Sequence, residues 1–190
     1  MNSTLRPALV LFLALSLVTG IAYPLLVSGV AGVAMPFQAG GSIVQRDGKA
    51  VGSLLIGQSF SDPKHFWSRP SATSPGPNNA TASGGSNQGP SNPALVDAVK
   101  GRVEALRSAD PDNKAPVPID LVTASGSGLD PEISIAAARF QAGRIARARG
   151  LPVERVTALI DTHAKGPVLG FLGEPRVNVL ALNLALDSIR

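Results

Sequence analysis

The residues able to do chemistry are few in this sequence, and their spacing suits catalysis poorly. There are two histidines, His65 and His163, and no cysteine. That excludes a disulfide scaffold, thiolate metal sites, iron–sulfur clusters and a cysteine nucleophile, and leaves too few imidazoles for a multi-histidine metal centre. Neither histidine has an obvious acidic neighbour to orient it, so both read as surface residues. Gly84-Gly85-Ser86-Asn87 begins like the nucleophile elbow G-x-S-x-G, but Gln88 stands where glycine is needed. Gly126-Ser127-Gly128 is a lone G-x-G. Its backbone N–H groups could hold an anion, or it is a tight turn from strand to helix. No Walker A pattern, full dinucleotide fingerprint, HExxH or aspartate-rich calcium loop occurs. Autonomous catalysis is not expected. Arg139, Arg144, Arg147, Arg149 and Arg155 form a basic cluster, read as a solvated face or as a contact for anionic headgroups or an acidic partner.

The elements around these residues divide the chain in two. Of 190 residues, 44% are hydrophobic and 16% charged, against a globular norm of about 25% charged. The length allows one domain plus a membrane or targeting segment. Seventeen basic residues and a net charge of +4 do not by themselves suggest a nucleic-acid binder. After Arg6 the next charge is Arg46, and Pro7–Met35 is almost wholly apolar. A bilayer core needs about 20 apolar residues in a helix, and this run exceeds that. Pro7 fits the first helical turn and Pro24 should kink the helix. A cleaved signal peptide is the rival reading, with Gly32-Val33-Ala34 as a small-x-small cleavage pattern. The apolar run, however, is about twice the length of a signal h-region. A retained anchor is expected, with residues 1–6 as a short cytoplasmic tail and the bulk, 38–190, on the periplasmic side. Ser16 and Gly20, like Ser28 and Gly32, are spaced small-xxx-small and are candidates for packing against a partner helix.

Residues 38–190 suffice for one core. Asp47-Gly48 between β-favouring runs predicts a hairpin, Ser42–Arg46 with Ala50–Ile56. Phe60, Phe66 and Trp67 lie in an irregular stretch and should cap the core. The segment 71–93 is rich in Gly, Ser, Asn and Pro and holds no charge and no large apolar residue. It is expected to be a long loop, disordered or functional. Asn92-Pro93 caps a helix closed by Asp110-Pro111. Ile119–Val122 reads as a strand, Thr123–Asp130 as a second Gly/Ser loop, and Ser134 or Asp130 as the cap of a helix ended by Gly150. Pro152 opens another helix. A short strand at Arg176–Val179 leads into a last one. The fold class is α+β: a single N-terminal transmembrane helix followed by one periplasmic α+β domain.

Several blocks carry a family likeness in their joint order. Leu5–Leu9 (LRPAL) opens the apolar run, which contains Thr19-Gly20 and Tyr23-Pro24. Ile56–Phe60 (IGQSF), Arg69–Thr73 (RPSAT), Ser83–Asn87 (SGGSN) and Ser91–Pro93 (SNP) follow, then Asp120–Pro131 (DLVTASGSGLDP), Arg144–Gly150 (RIARARG) and Val177–Asp187 (VNVLALNLALD). Together they resemble the C-subunit family of the Kdp-type potassium-transporting P-type ATPase of bacteria, over nearly the whole chain. Ser68 and Gln88 depart from the family pattern of glycine and leucine.

The resemblance implies a non-catalytic accessory subunit of a high-affinity, ATP-driven potassium uptake complex. Its partners would be a channel-like potassium-binding subunit, a P-type ATPase subunit and a small single-helix subunit, with lipid around the anchor. It further implies a catalytic chaperone supporting assembly and ATP affinity of the ATPase subunit. No cofactor is expected on this chain alone; ATP is possible in the complex. Ser83, Gly84, Gly85, Ser86 and Asn87 faintly resemble the signature loop of ABC transporters and are the weak nucleotide candidates, although the topology puts them on the side where ATP is scarce. Arg69, Pro70 and Ser71, with Ser125, Gly126, Ser127 and Gly128, are the candidate partner-docking loops. The alternative is a membrane-anchored periplasmic enzyme or binding domain, which as an enzyme would need a nucleophile–base pair that the sequence does not show.

Overall fold

The computed structural model describes residues 2–189. Met1 of the expected tail and Arg190 at the far end lie outside the described residues. The chain divides after Ile43 into two compact units.

The first unit is dominated by an apolar helix. Helix α1 spans Asn2–Leu17, a π turn spans Val18–Ala22 and α2 spans Tyr23–Ala34. Thr4–Ala34 has a mean hydropathy of 2.3 and none of its window is buried. At 1.5 Å per residue such a helix is about 46 Å long, more than the ~30 Å hydrocarbon core of a bilayer. Helix formation begins five residues before Pro7, so Pro7 lies inside α1 and not in its first turn. Its missing N–H removes a single bond, to a carbonyl at the helix N-terminus. The consequence of Pro24 falls one turn earlier than the proline itself. Pro24 offers no N–H, and the Tyr23 N–H reaches back five residues to the Val18 carbonyl. The backbone absorbs the defect as a wider turn with helical dihedrals on both sides. A four-residue helix α3, Pro36–Ala39, follows.

The second unit is α+β. Strands β1 (Ile43–Arg46) and β2 (Lys49–Ser53) form a two-stranded sheet. Asp47 and Gly48 both take positive φ, 52° and 73°, as a tight two-residue turn between twisted strands requires. The second strand stops at Ser53, short of the expected Ile56. Helix α4 spans Pro93–Ala109, with the Asn92 side chain accepting from Ala94 N–H. Ile119–Leu121 is a 3-10 turn and not the expected strand. The Asp120 carboxylate accepts from the backbone N–H of Ser134 at 2.7 Å, which turns this segment across the sheet edge and leaves Ile119 exposed.

Two strand–cap–helix units then form the centre of the domain. Strand β3 (Glu132–Ser134) runs directly into α5 (Ile135–Arg149), and β4 (Arg176–Asn178) into α7 (Val179–Asp187). Ser134 Oγ accepts from Ala137 N–H, and Asn178 Oδ1 from Ala181 N–H, both at 3.0 Å. The strands pair antiparallel, with Ile133 opposite Val177. Strand β3 was not read from the sequence, where Asp130 or Ser134 was taken as the cap of the helix and the strand between them was passed over. Gly150 ends α5 in the left-handed region, and α6 (Val153–His163) packs between α5 and α7. The small stripe on α5 (Ala137, Ala138, Ala142) permits that close approach. Ile133, Ile145, Val156, Ile160, Val177, Leu182 and Leu186 fill the core. Phe66 belongs to it too, wholly buried, whereas Phe60 and Trp67 pack at its edge.

Candidate partner-docking site

Residues 57–67 form no helix or strand, and buried side chains hold the end of this stretch. Asn183, on α7, accepts from Phe66 N–H at 2.8 Å and donates to Phe66 C=O at 3.0 Å. Gln141, on α5, does the same for Trp67 at 2.8 and 3.1 Å. Each amide stands in for a neighbouring strand, satisfying groups that would otherwise be buried unpaired. Arg144 donates to the carbonyls of Pro63 and His65 and stacks over Trp67 at 4.6 Å. Burial lowers the Arg144 pKa to about 10, opposed by the charges of Asp110 and Asp62.

The basic cluster divides: Arg139, Arg147 and Arg155 are solvated as read, whereas Arg144 and Arg149 turn inward, and most of the five are paired. Arg144 is buried, Arg147 pairs with Asp110, Arg149 with Asp187 at 2.5 Å and Arg139 with Asp161 at 2.9 Å. Only Arg155 has no partner among the described residues. His65 is likewise not an unpartnered surface residue. Its Nε2 lies 2.9 Å from Asp187 Oδ1, across 122 residues of sequence, and its Nδ1 lies 3.8 Å from Asp62. Partial burial pushes the Asp187 carboxyl up. Hydrogen bonds from Arg149 and His65 and their charges outweigh this, so it sits below its ordinary value. His163 caps its own helix, Nδ1 to the Leu159 carbonyl at 2.9 Å.

Beyond this anchor the two Gly/Ser loops meet. Ser71 Oγ donates to Gly128 C=O at 2.6 Å and accepts from Asn78 N–H at 2.9 Å. Thr73 Oγ1 donates to Gly76 C=O and accepts from Asn79 N–H, which closes the first part of the long loop on itself. Ser83 Oγ and Gly84 N–H both donate to Ser127 C=O, at 3.0 and 2.9 Å. A Cβ at Gly85 would stand 3.0 Å from Gly126 O. Gly128, at φ +67°, has Thr73 Cγ2 and Gly84 O where a Cβ would lie, 2.6 and 2.7 Å away. The glycines are thus needed for backbone-to-backbone packing. Arg69 pairs with Asp130 at 3.0 Å, and Asp130 in turn accepts from Glu132 N–H. Composition alone predicted a loop; serine, threonine and asparagine side chains supply the order that apolar residues do not.

The structure so places Arg69, Pro70, Ser71, Ser83, Gly84, Gly85 and Gly126–Gly128 in one junction. Ser125 is buried in it, while Ser86, Asn87, Gly126 and Ser127 face outward. Gly128 N–H is turned inward, to Ser125 C=O at 3.3 Å. Ser16, Gly20, Ser28 and Gly32 lie on the apolar helix, and a Cβ at Gly20 or Gly32 would meet nothing within 4 Å. On an ideal α-helix the two pairs would be rotated about 120° apart. The π turn lets one extra residue into the helix between them, removing about 100° and leaving them about 20° apart on one face.

The chain thus joins an apolar helix of membrane-spanning length to an α+β domain fastened by buried amides, with its Gly/Ser loops interlocked. Comparison with known proteins gives the family. Residues 5–188 match the KdpC family model, "K+-transporting ATPase, c chain". The chain is 67% identical over 188 residues to the potassium-transporting ATPase KdpC subunit of Variovorax paradoxus, covering 99% of this chain and 97% of that protein. It is 65% identical over 190 residues to the KdpC subunit of Polaromonas naphthalenivorans, covering 100% and 97%. With the subunit of the same name from Methylibium petroleiphilum it shares 64% identity over the full length of both. The chain belongs to the KdpC family and is a subunit of a K+-transporting ATPase, a membrane complex in which it has partner subunits.

Proposed function

We propose that this chain is a non-catalytic accessory subunit, anchored by the apolar helix, whose second unit lies on the periplasmic side and docks on the potassium-binding subunit. The short N-terminal segment with Arg6 would remain in the cytoplasm. In this reading the face carrying Ser16, Gly20, Ser28 and Gly32 packs against a helix of a partner subunit. The outward residues of the loop junction, Ser86, Asn87, Gly126 and Ser127, touch a partner, held in place from behind by Arg69, Pro70, Ser71, Ser125 and Gly128. The observation that carries the reading is the junction itself: Gly/Ser loops fixed by their own hydrogen bonds form a surface that loses little entropy on binding.

Support for the ATP affinity of the ATPase subunit would then be exerted through assembly. For Ser83–Asn87, a phosphate would compete with Ser127 C=O for the Ser83 hydroxyl and the Gly84 N–H. Photoreactive ATP applied to the intact complex should label the ATPase subunit and leave Ser83–Asn87 unlabelled; label on that segment would overturn the indirect reading. Affinity purification of the tagged chain from native membranes should bring the other subunits with it. Recovery of the chain by itself would contradict the accessory role.

A further inference from the structure

The second unit carries one feature that neither its core nor the loop junction uses. Residues 165–176 form an arm closed by two ladders. Lys165 and Arg176 exchange both backbone bonds, at 2.8 and 3.0 Å, and Val168 and Leu172 do so at 2.8 and 2.9 Å. Leu169 and Gly170, both at positive φ, make the turn between them. The backbone of the tip is therefore satisfied, yet its side chains are not covered. Leu169 is 79% exposed, Phe171 73%, Val168 54% and Leu172 50%. No charge occurs from Gly166 to Gly173. Four adjacent large apolar side chains on an ordered turn are unlike the scattered apolar residues of an ordinary surface.

The arm runs from the tip into the wall of a cleft of about 470 Å³, lined by Glu174, Pro175 and Arg176 on one side and by Ile119 and Asp120 on another. Ile119 is itself 74% exposed. Charge at the cleft is biased. Asp130 is paired with Arg69, and Glu132 with Arg176 and Lys165, but Asp120 and Glu174 have no cationic partner among the described residues. An anionic lipid surface is disfavoured here, since four carboxylates face three cations and leave a net negative charge. A protein surface with an apolar socket and a nearby lysine or arginine is matched by these carboxylates.

We propose that the tip Val168–Leu172 inserts into an apolar socket on another subunit of the complex, with a basic side chain of that subunit entering the cleft beside Glu174 and Asp120. The apolar tip lies outside the loop junction, although Arg69 and Asp130 of the junction also line the cleft. The proposal rests on the reading that the second unit docks on a partner, and it names the surface and the chemistry of that contact. Phe171 and Leu172 supply the aromatic and aliphatic burial typical of an interface centre, and the carboxylates set orientation.

The test is photo-crosslinking in the intact complex, with benzoylphenylalanine placed singly at Phe171, Ser86 or Lys100. All three positions lie at or near the surface, so folding is not at issue. The Phe171 probe should cross-link to a partner subunit, at a peptide carrying Lys or Arg. Glu174→Lys should cut that yield about tenfold, equivalent to about 1.4 kcal/mol of binding. Lipid or detergent adducts, a cross-link to a second copy of this chain, or no product at Phe171 while Ser86 still cross-links would overturn the proposal and leave the loop-junction reading standing. An undiminished yield in Glu174→Lys would overturn the basic-partner assignment. Absence of product at both Phe171 and Ser86 would overturn the docking reading on which the proposal rests. Lys100, on the exposed face of α4, should remain without product; the same partner captured there would show that the tip is not selective and would overturn the proposal.

Discussion

Asn183→Leu should be among the most damaging single changes in the second unit, although it exchanges a polar side chain for an apolar one of similar size. The Asn183 amide accepts from Phe66 N–H and donates to Phe66 C=O, and both residues are buried. Leucine can do neither. Leaving a buried donor or acceptor unpaired costs about 1–3 kcal/mol each, so the loss should be about 2–6 kcal/mol. Domains of this size are stable by only about 5–15 kcal/mol. The midpoint of thermal unfolding should fall by about 4–24 °C, at about 2–4 °C per kcal/mol. Trp67 is the single tryptophan and the next residue in the chain, so its fluorescence in the full-length protein reports this region directly. Asn183→Asp keeps the acceptor for Phe66 N–H but sets a buried carboxylate oxygen against Phe66 C=O, and should be at least as damaging near neutral pH. A loss below about 1 kcal/mol in Asn183→Leu would refute the argument that side-chain amides hold this strand-free segment.

Three further outcomes are expected. The Asp187 carboxyl lies below its ordinary value in the folded protein. Its stabilisation is therefore complete above the unfolded value of about 3.9 and is lost as pH falls through the folded one. Wild-type melts should show an acid limb in that range, and Asp187→Asn should flatten it while lowering stability near neutral pH. In Gly128→Ala the residue must take a left-handed conformation, costing about 1–2 kcal/mol before the clash with Thr73 is counted. Limited proteolysis should then cut within residues 71–93 faster than in the wild type. Gly20→Leu combined with Gly32→Leu fills the open face of the apolar helix. It should reduce co-purification of partner subunits without changing the melting of the second unit, and an unchanged yield would remove that face from the interface.

What could be read from the sequence was local. Asp47-Gly48, Asn92-Pro93 and Gly150 marked a hairpin and two helix ends because turns and caps depend on residues next to one another. The strand at Arg176–Val179 leading into a last helix was also read, while the Asn178 cap that joins them was not. Contacts distant in sequence were not legible. His65 meets Asp187 across 122 positions, and Gln141, Arg144 and Asn183 read as ordinary helix residues until the loop they hold is placed beside them. The pairing of the arginines from Arg139 to Arg149 was not legible because their acidic partners, Asp110, Asp161 and Asp187, lie on other elements. The loops 71–93 and 123–130 were each recognisable by composition. Their union was not, since Ser83 and Ser127 reveal themselves as partners only when the backbones touch. The family could be read early for a different reason: it rests on the order of many short blocks, and no single site carries it.

The most direct measurement is potassium uptake at limiting external potassium by cells whose copy of this chain ends after Ile43, so that the apolar helix is kept and residues 44–190 are removed. If the chain acts through the docking of its second unit on partner subunits, uptake should fall to the level of cells lacking the chain altogether. Uptake equal to that of the full-length protein would contradict the account.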